Sequence, residues 1–426
     1  MKKLTAIVLI LALCLCACGK GDDPQASSPA PQEPDTPSVR FLTTIPGTEK
    51  SFRSLAKAYT EQTGIPVEII FAGDEKLPQL LAGPEAPTAF TAAAGQLPLD
   101  YALPLDGSKL AGELLTQEFT VRHSDGTLAA LPLELGVYGI LVNVTLLRQA
   151  GYRLEDIHSF ETLKTVAEDI QSRSVALGFD AFTAAGLSPS SLRFSGELVS
   201  LPLYYEFREA GITETPPAIT GKYLDHLRSI FDLYLANAPA DPRFLSGIDD
   251  EESRIAFTSS LAVFYQGGSW EYAELSRAVE ELAVIPIYCG IPGEEQSGLC
   301  MDALHHWAVN AQASPEDQAA SLDFLYYLVT DRQVIAVMAD LFGGICYRSA
   351  PIHPNPILAA ALEQLAQGRP SVTWAYRLAP NPAQWRRTVV TALTAYAEDP
   401  SDKTWAIVTD TIVDGWAYEY RLAGND

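Results

Sequence analysis

The sequence predicts an α/β protein of two domains with a helix-rich C-terminal part. Short apolar strands alternate with amphipathic helices in the first half of the chain. A strand, a helix and a second strand in succession require a right-handed crossover and therefore a parallel sheet. The body, from about residue 39 to the end, spans about 390 residues, which suits two domains better than one small core. No apolar run within it reaches membrane-spanning length, so we expect a soluble body.

The first eighteen residues have the layout of a bacterial lipoprotein signal peptide. Lys2 and Lys3 precede an apolar run over residues 4–15, which is too short to span a bilayer permanently. The following segment, Leu15-Cys16-Ala17-Cys18-Gly19, resembles a lipobox. We therefore expect residues 1–17 to be removed and Cys18 to be acylated, which would anchor the chain at the outer face of a cytoplasmic membrane. An ordinary secretory signal with incidental cysteines is the alternative.

Residues 18–38 have the composition of a disordered tether that begins at the acylated cysteine. Five prolines alternate with Asp, Ser, Gln and Gly, and almost nothing in the segment is apolar. Such a segment cannot bury enough surface to offset its chain entropy, and proline keeps it partly extended. We expect it to let the body move above the membrane.

The charge balance of the chain excludes some partners. The formal net charge is −24 at pH 7, which argues against binding to nucleic acid or directly to anionic lipid. An acidic surface can favour a cationic ligand, or it can simply keep a surface protein soluble.

The elements of the first unit follow one another clearly. Strands are predicted at residues 39–44 and 67–71, with a helix over 49–63 between them, and Gly64 is placed to end that helix. The buried face of this helix is formed by Phe52, Leu55, Ala56 and Tyr59. A short helix at 76–81 and a strand at 88–91 come next.

A long apolar segment over residues 131–142 leads into the second part of the chain, where helices predominate. Ser159 is placed to cap a helix that runs to residue 172. Further helices are predicted near residues 223–236, 251–259, 315–328, 331–341, 356–367, 384–396 and 401–422.

Three cysteines remain in the body: Cys289, Cys300 and Cys346. Cys289 and Cys300 flank a Gly- and Pro-rich segment that we interpret as a turn between two strands. A disulfide across this turn is one interpretation for a protein outside the cell, and three buried thiols are the other. The spacing offers no Cys-x-x-Cys metal site.

Six motifs occur in the order typical of one family. Glu61-Gln-Thr-Gly-Ile-Pro-Val67 is similar to "K-x-T-G-I-x-V", and the segment at 131–143 is similar to "V-P-x-x-x-x-x-x-G-L-x-Y-N". The others lie at residues 146–151 with 159–163, 257–263 with 268–270, 285–287, and 307–310 with 319–328. Together they resemble the extracellular solute-binding proteins of ABC importers, in particular the family 1 group that carries mostly sugars.

This resemblance implies a two-lobed, periplasmic-binding-protein-like (type II) fold with a ligand cleft between the lobes. One lobe would comprise residues 39–132 and 302–345, and the other residues 133–301 and 346–426. We expect the chain to cross between lobes near residues 131–138, 298–304 and 343–347, where Gly and Pro suit a hinge.

The resemblance also indicates where a sugar would bind. Sugar sites combine aromatic platforms with polar groups, and Trp270 lies in a motif whose Trp often faces ligand. The residues predicted to contact ligand are Thr44, Glu134, Tyr138, Tyr205, Trp270, Asp302, His305 and Trp385. Trp374 is a further aromatic candidate beside Trp385.

Other chemistry finds little support in the sequence. His305 and His306 are adjacent on a predicted strand and so point to opposite faces, which disfavours a shared metal ion. Gly267-Gly-Ser269 lacks a nucleophile-elbow pattern, and no Gly-rich phosphate loop occurs. We therefore expect no metal, no cofactor and no catalysis, although two carboxylates of a glycosidase remain an alternative.

The expected function is that of a membrane-tethered, monomeric receptor that captures a sugar or oligosaccharide and delivers it to the transmembrane subunits of an ABC permease. Two alternatives stay open at this point. The same fold could bind a cationic or amino solute, or the protein could be a surface lipoprotein that senses without transport.

Overall fold

A computed structural model describes residues 37–183, 186–350 and 355–424. The predicted signal peptide, Cys18 and the tether as far as residue 36 lie outside the described residues. Pro37–Asp426 forms one compact unit. In the part of the chain described, no helix is both long and apolar enough to cross a membrane.

Nine strands of the described residues form one mixed sheet, in which β5 and β9 are central. The strand order is β2-β1-β3-β9-β5-β7-β6, and β4 and β8 also pair with β5. The strands are β1 (Val39–Thr43), β2 (Val67–Phe71), β3 (Ala89–Ala93), β4 (Val121–Arg122), β5 (Leu128–Asn143), β6 (Asp180–Phe182), β7 (Ala262–Gly268), β8 (Leu282–Ile285) and β9 (Cys300–Val309).

The long strand β5 joins two halves of the sheet. Its first part pairs with β9, from Leu131 opposite Trp307 to Tyr138 opposite Cys300. Its last residues pair with β7 on one edge and with β8 on the other. Because β9 also pairs with β3, the first part of β5 belongs to the half that contains the parallel strands β1, β2 and β3.

Helices cover the sheet and account for most of the C-terminal part. They are α1 (Glu49–Thr63), α2 (Leu77–Leu81), α3 (Lys109–Gly112), α4 (Val144–Gln149), α5 (Phe160–Ser172), α6 (Ser174–Leu177), α7 (Val199–Ala210), α8 (Leu224–Ala236), α9 (Asp250–Thr258), α10 (Tyr272–Leu275), α11 (Pro315–Thr330), α12 (Arg332–Phe342), α13 (Pro356–Ala366), α14 (Pro382–Glu398) and α15 (Asp402–Leu422). The helices predicted from periodicity are confirmed to within a few residues at their ends.

Helix α7 was not predicted from the sequence. It contains Pro202, which lacks the N–H that an interior helical position normally donates. A π-helical turn, Arg193–Leu198, leads directly into it. Such turns relax the regular hydrogen-bond ladder and are frequent at functional sites, so the proline marks an irregular start to the helix and does not end it.

The described residues form two large apolar cores and a smaller third. In one, Phe41 of β1 packs between Phe52 of α1 and Phe324 of α11, with ring centroids 4.9 and 5.9 Å away. In the other, Trp385 of α14 lies edge-on to Trp416 of α15 at 5.5 Å. The main cores therefore lie on different parts of the sheet and are built by different helices.

Of the two interpretations of the cysteines, the structure has the buried thiols and not the Cys289–Cys300 disulfide. Cys289 and Cys300 are free, buried thiols. Strands β8 and β9 do not face each other as a hairpin, because both are antiparallel partners of β5 and follow one another along it. Residues 286–299 leave this edge as a loop, in which the Glu294 carboxylate accepts hydrogen bonds from the N–H groups of Cys289 and Gly290, both at 2.8 Å. Burial raises the pKa of the Cys289 thiol well above its ordinary value.

Candidate functional site

Three chain segments meet where β5 passes from one half of the sheet to the other. The Leu135 N–H donates to the Gly344 carbonyl at 2.9 Å. The Tyr347 hydroxyl donates to the Pro132 carbonyl at 2.9 Å and accepts a 2.8 Å hydrogen bond from the Trp307 indole. The predicted crossings at 131–138 and 343–347 are therefore joined by hydrogen bonds, and the one at 298–304 is joined to the first by the pairing of β9 with β5. We call this region the junction.

Two tryptophans form an aromatic corner beside the junction. Trp270 follows β7 in a single 3₁₀ turn and is 47% exposed. Trp374 lies edge-on to it, with ring centroids 6.0 Å apart, and also contacts Tyr138 at 5.5 Å. Gly136 permits this approach, because a Cβ there would lie 2.9 Å from the Trp374 ring. The corner thus offers one accessible indole that is supported by a second.

A histidine–carboxylate pair lies next to the corner. Nδ1 of His305 on β9 is 3.0 Å from Oε1 of Glu134 on β5. Glu134 and Trp270 both line a cavity of about 310 Å³, together with Ser269 and Leu304. The cavity therefore combines an aromatic face, a carboxylate and a hydroxyl, groups that suit a polyhydroxylated ligand.

An ion pair lies against the ring of Trp374. The guanidinium of Arg377 is 3.2 Å from the Asp302 carboxylate and 4.2 Å from the centre of the Trp374 ring, and it donates to the Ala303 carbonyl at 2.7 Å. Asp302 accepts from the Ala303 N–H at 2.8 Å. Burial raises the pKa of Asp302, and Arg377 opposes that rise. The Trp374 indole N–H is buried without a hydrogen-bond partner among the described residues.

A larger cavity, of about 690 Å³, adjoins this second pair. It lies between the region of β4, the C-terminal end of α7 and the segment that carries Trp374. Its polar and aromatic lining comprises Glu118, Thr120, Arg122, Tyr204, Arg208, Thr213, Asp302, Thr373, Trp374 and Arg377. The volume is sufficient for a small ligand such as a mono- or disaccharide.

A buried charged network supports the turn that holds Trp270. Arg193 donates to the Tyr265 hydroxyl and lies 3.4 Å from each of the carboxylates of Glu271 and Asp250. The Tyr265 hydroxyl donates to Glu271 at 2.5 Å. Because Glu271 directly follows Trp270, these contacts hold the turn that carries Trp270 against the buried network.

Glu197, on the π-helical turn, belongs to the same network. It accepts from the Gln266 side-chain amide at 3.2 Å, and its backbone carbonyl accepts from the Tyr138 hydroxyl at 2.8 Å. Burial raises the pKa of Glu197 to about 7, with nearby Arg193 and Gln266 opposing the rise.

Three of the eight predicted ligand residues line one of the two cavities, namely Glu134, Trp270 and Asp302, and His305 pairs with Glu134. The other four are buried and line neither cavity: Thr44, Tyr138, Tyr205 and Trp385. The placement of Trp385 corrects the prediction of a stacking residue. Its side chain is fully buried on α14, and its indole donates to the Ile412 carbonyl at 3.1 Å.

Sequence reasoning missed the cationic residues of the larger cavity. Arg377 lies three positions after Trp374 in a short 3₁₀ turn, Ala375–Leu378, and Arg208 lies near the end of the unpredicted helix α7. The only signal available was an aromatic residue next to an arginine, as in Trp374-Ala-Tyr-Arg377, and that pattern is common on protein surfaces. Within the described ranges, no group of three His, Cys, Asp or Glu side chains is placed to hold a metal ion.

The mixed α/β sheet, the two cores and the aromatic corner at their junction define a two-lobed binding protein. The family model of bacterial extracellular solute-binding proteins matches residues 54–351. That is more than half of the chain, and the protein belongs to this family. No curated protein sequence matches the chain.

Solved structures of solute-binding proteins share the fold. A family 1 extracellular solute-binding protein from Bifidobacterium longum subsp. infantis superposes with a TM-score of 0.67 at 15% identity, over 89% of this chain and 99% of that one. RafE from Streptococcus pneumoniae, in its apo form, gives 0.68 at 13% identity, over 89% and 98%. The GacH receptor of Streptomyces glaucescens gives 0.61 at 19% identity, over 92% and 99%. These likenesses confirm the predicted two-lobed fold.

Proposed function

We propose that this protein is the receptor of an ABC importer and that it binds a sugar or short oligosaccharide at the junction. The observation that carries the proposal is the aromatic corner of Trp270 and Trp374, which lies beside the His305–Glu134 pair and the Arg377–Asp302 ion pair. The C–H faces of a sugar ring pack on an indole, while its hydroxyls need fixed polar partners. The corner supplies both within one small region.

The relatives support this choice of ligand class. RafE has been solved in complex with raffinose, and the GacH receptor with acarbose. Another similar structure is that of a chitin oligosaccharide-binding protein. We propose a binding role and no catalysis, so hydrolysis of a bound sugar would contradict this part of the proposal.

We propose lobes of residues 39–132 with 302–345 and of residues 133–301 with 346–426. Ligand that contacts both lobes would favour a closed form over an open one. The hydrogen-bonded segments of the junction would then act as the hinge.

The family and the leader sequence both support a location outside the cytoplasm. The family is extracellular, and we propose that Cys18 is acylated and that residues 19–38 tether the body to the membrane. The closed body, as a monomer, would deliver its ligand to the transmembrane subunits of the permease. Acyl anchoring keeps the receptor close to its permease, which raises its local concentration there.

Thermal unfolding of residues 37–426 against a panel of sugars, amino acids and polyamines tests the proposal. A ligand that binds only the folded state adds about 2.7 kcal/mol to the free energy of unfolding at 100 times its Kd. We expect stabilisation by one class of sugar. Stabilisation by polyamines alone would favour a cationic solute, and no stabilisation across the panel would favour a sensing lipoprotein.

Substitution of Trp270 tests whether sugar binds at the aromatic corner. Trp270→Ala should weaken sugar binding about tenfold or more, because it removes the accessible platform. Tyr418→Ala is the matched control, since Tyr418 is an exposed aromatic residue of α15 that lines neither cavity. Equal affinities for all three proteins would show that sugar binds elsewhere.

A further inference from the structure

The larger cavity has an arginine-rich wall in a protein that is strongly acidic. The chain contains 29 Lys and Arg against 53 Asp and Glu. Three arginines nevertheless line this one cavity, Arg122, Arg208 and Arg377, against two carboxylates, Glu118 and Asp302. The charge of the lining is therefore opposite in sign to that of the protein as a whole.

Two of these arginines have only neutral partners. Arg208 donates to the Ser297 hydroxyl at 3.2 Å, and its guanidinium lies 5.5 Å from the centre of the Tyr204 ring. Arg122 donates to the Gly126 carbonyl at 2.7 Å and to the Gln117 side-chain oxygen at 2.9 Å. Among the described residues, no carboxylate lies within 4.0 Å of either guanidinium, whereas Arg377 is paired with Asp302.

The geometry around Arg208 prepares it for a ligand. Contacts with Tyr204 and Tyr205, whose ring centre is 5.0 Å away, hold the guanidinium in place. A guanidinium has five N–H donors in a planar fork that matches a carboxylate, and Ser297 uses only one of them. An anion at this position would thus find donors already oriented.

The two carboxyl groups of the wall do not cancel the arginines. Asp302 is engaged by Arg377 and accepts a hydrogen bond from the backbone N–H of Trp374. Glu118 accepts a 3.1 Å hydrogen bond from the Ser371 N–H. Burial raises the pKa of both Glu118 and Asp302. With Asp302 paired to Arg377, Glu118 alone stands against Arg122 and Arg208, so the wall keeps an excess of one positive charge and disfavours a cationic solute.

We propose that the larger cavity binds the anionic group of an acidic saccharide, such as the carboxylate of a uronic acid, through Arg208 and Arg122. The proposal rests on the proposed function and adds the ligand's charge to it. Tyr204, which is partly exposed in the same wall, supplies an aromatic face for the sugar ring, and the hydroxyls of Thr120, Thr213 and Thr373 supply partners for its hydroxyls.

Calorimetric titration of residues 37–426 tests the proposal with matched pairs of ligands. The probes are disaccharides of galacturonic and glucuronic acid, their neutral counterparts of galactose and glucose, and galactose 6-sulfate. We expect at least one acidic sugar to bind about tenfold or more tightly than its neutral counterpart, because its carboxylate forms a charge-assisted hydrogen bond that the neutral sugar lacks. The advantage should shrink with added salt. The sulfated sugar distinguishes a carboxylate from another anion.

Variants assign the effect to the cavity. Arg208→Gln should weaken acidic-sugar binding about tenfold and leave the much weaker neutral binding unchanged. Arg122→Gln, at an exposed residue whose loss leaves the cores intact, repeats the test if Arg208→Gln proves unstable. Arg387→Gln is the control, because it removes the same charge from an exposed position on α14 that does not line the cavity.

Each other outcome has a definite meaning. Neutral sugars that bind as tightly as acidic ones would overturn the acidic-ligand proposal and leave the sugar receptor standing. Acidic sugars that bind without any effect of Arg208→Gln or Arg122→Gln would overturn the role of this cavity. No binding of any sugar would overturn this proposal and the proposed function together.

Discussion

The buried carboxyl of Glu197 makes the stability of the protein depend on pH in a way that one substitution removes. Burial raises its pKa from an ordinary 4.5 to about 7. The folded state therefore holds a proton that the unfolded chain releases between these two pH values. Where the folded state binds more protons, the free energy of unfolding falls as pH rises. This contribution is complete below about pH 4.5 and is lost as pH rises through about 7.

The size of the effect follows from the two pKa values. One pKa unit corresponds to about 1.4 kcal/mol, so the difference between 4.5 and about 7 corresponds to roughly 3 kcal/mol. Glu197→Gln keeps a similar shape and an oxygen that can accept from Gln266, but it carries no charge to bury. The free energy of unfolding of the variant, minus that of the natural protein, should therefore rise by about 2–3 kcal/mol from pH 5 to pH 8.

Urea unfolding of residues 37–426, monitored by far-UV circular dichroism for both proteins at pH 5 and pH 8, measures this change. Other titrating groups contribute equally to both proteins and cancel. Glu398→Gln is the control, since it removes a carboxylate from an exposed position near the end of α14. If the variant is stabilised over the natural protein equally at both pH values, or more strongly at pH 5, the cost of burying a charge at Glu197 is refuted.

Four further predictions follow from single positions. Cys18→Ser should abolish palmitate labelling and move the protein from the membrane fraction to the medium; retention at the membrane would contradict acylation. Trp385→Ala should cost about 3–5 kcal/mol in urea unfolding, because the indole is fully buried; a cost below about 1 kcal/mol would contradict its core position. Gly136→Ala should cost about 1–3 kcal/mol, since its Cβ would lie 2.8 Å from Leu304. Gly415→Ala, in a helix with its nearest contact at 3.5 Å, should instead gain up to about 1 kcal/mol.

Local signals in the sequence were sufficient for most helices. Helix α5 begins where Ser159 was predicted to cap it, and the Ser159 hydroxyl accepts from the Thr162 N–H at 3.3 Å. Helix α1 ends at Gly64, whose φ of 78° is left-handed. Caps and periodicity act within a few residues, so the local sequence is enough to predict where these helices begin and end. The two-lobed fold came from the order of the motifs and could not have come from helix patterns alone.

Strand pairing required information that local patterns do not hold. The segment between Cys289 and Cys300 has the composition of a turn, and a turn between strands predicts a hairpin. In the structure, the strands before and after it are successive partners of β5. Which strands pair depends on β5, about 150 residues earlier in the chain. Composition therefore identified the loop correctly, but it did not show how the flanking strands pair. The disulfide interpretation assumed a hairpin, and the strands do not form one.

The tryptophans show which signal could have improved the prediction of the site. Trp385 is followed at helical spacing by Val389, Leu393 and Tyr396, and all four side chains are buried on one face of α14. That periodicity was present in the sequence and assigns Trp385 to the core. Trp270, in contrast, follows two glycines in a short turn, where no helical or strand period directs its side chain inward. An aromatic residue outside any periodic apolar face has fewer packing partners, and it is therefore the better candidate for a ligand platform.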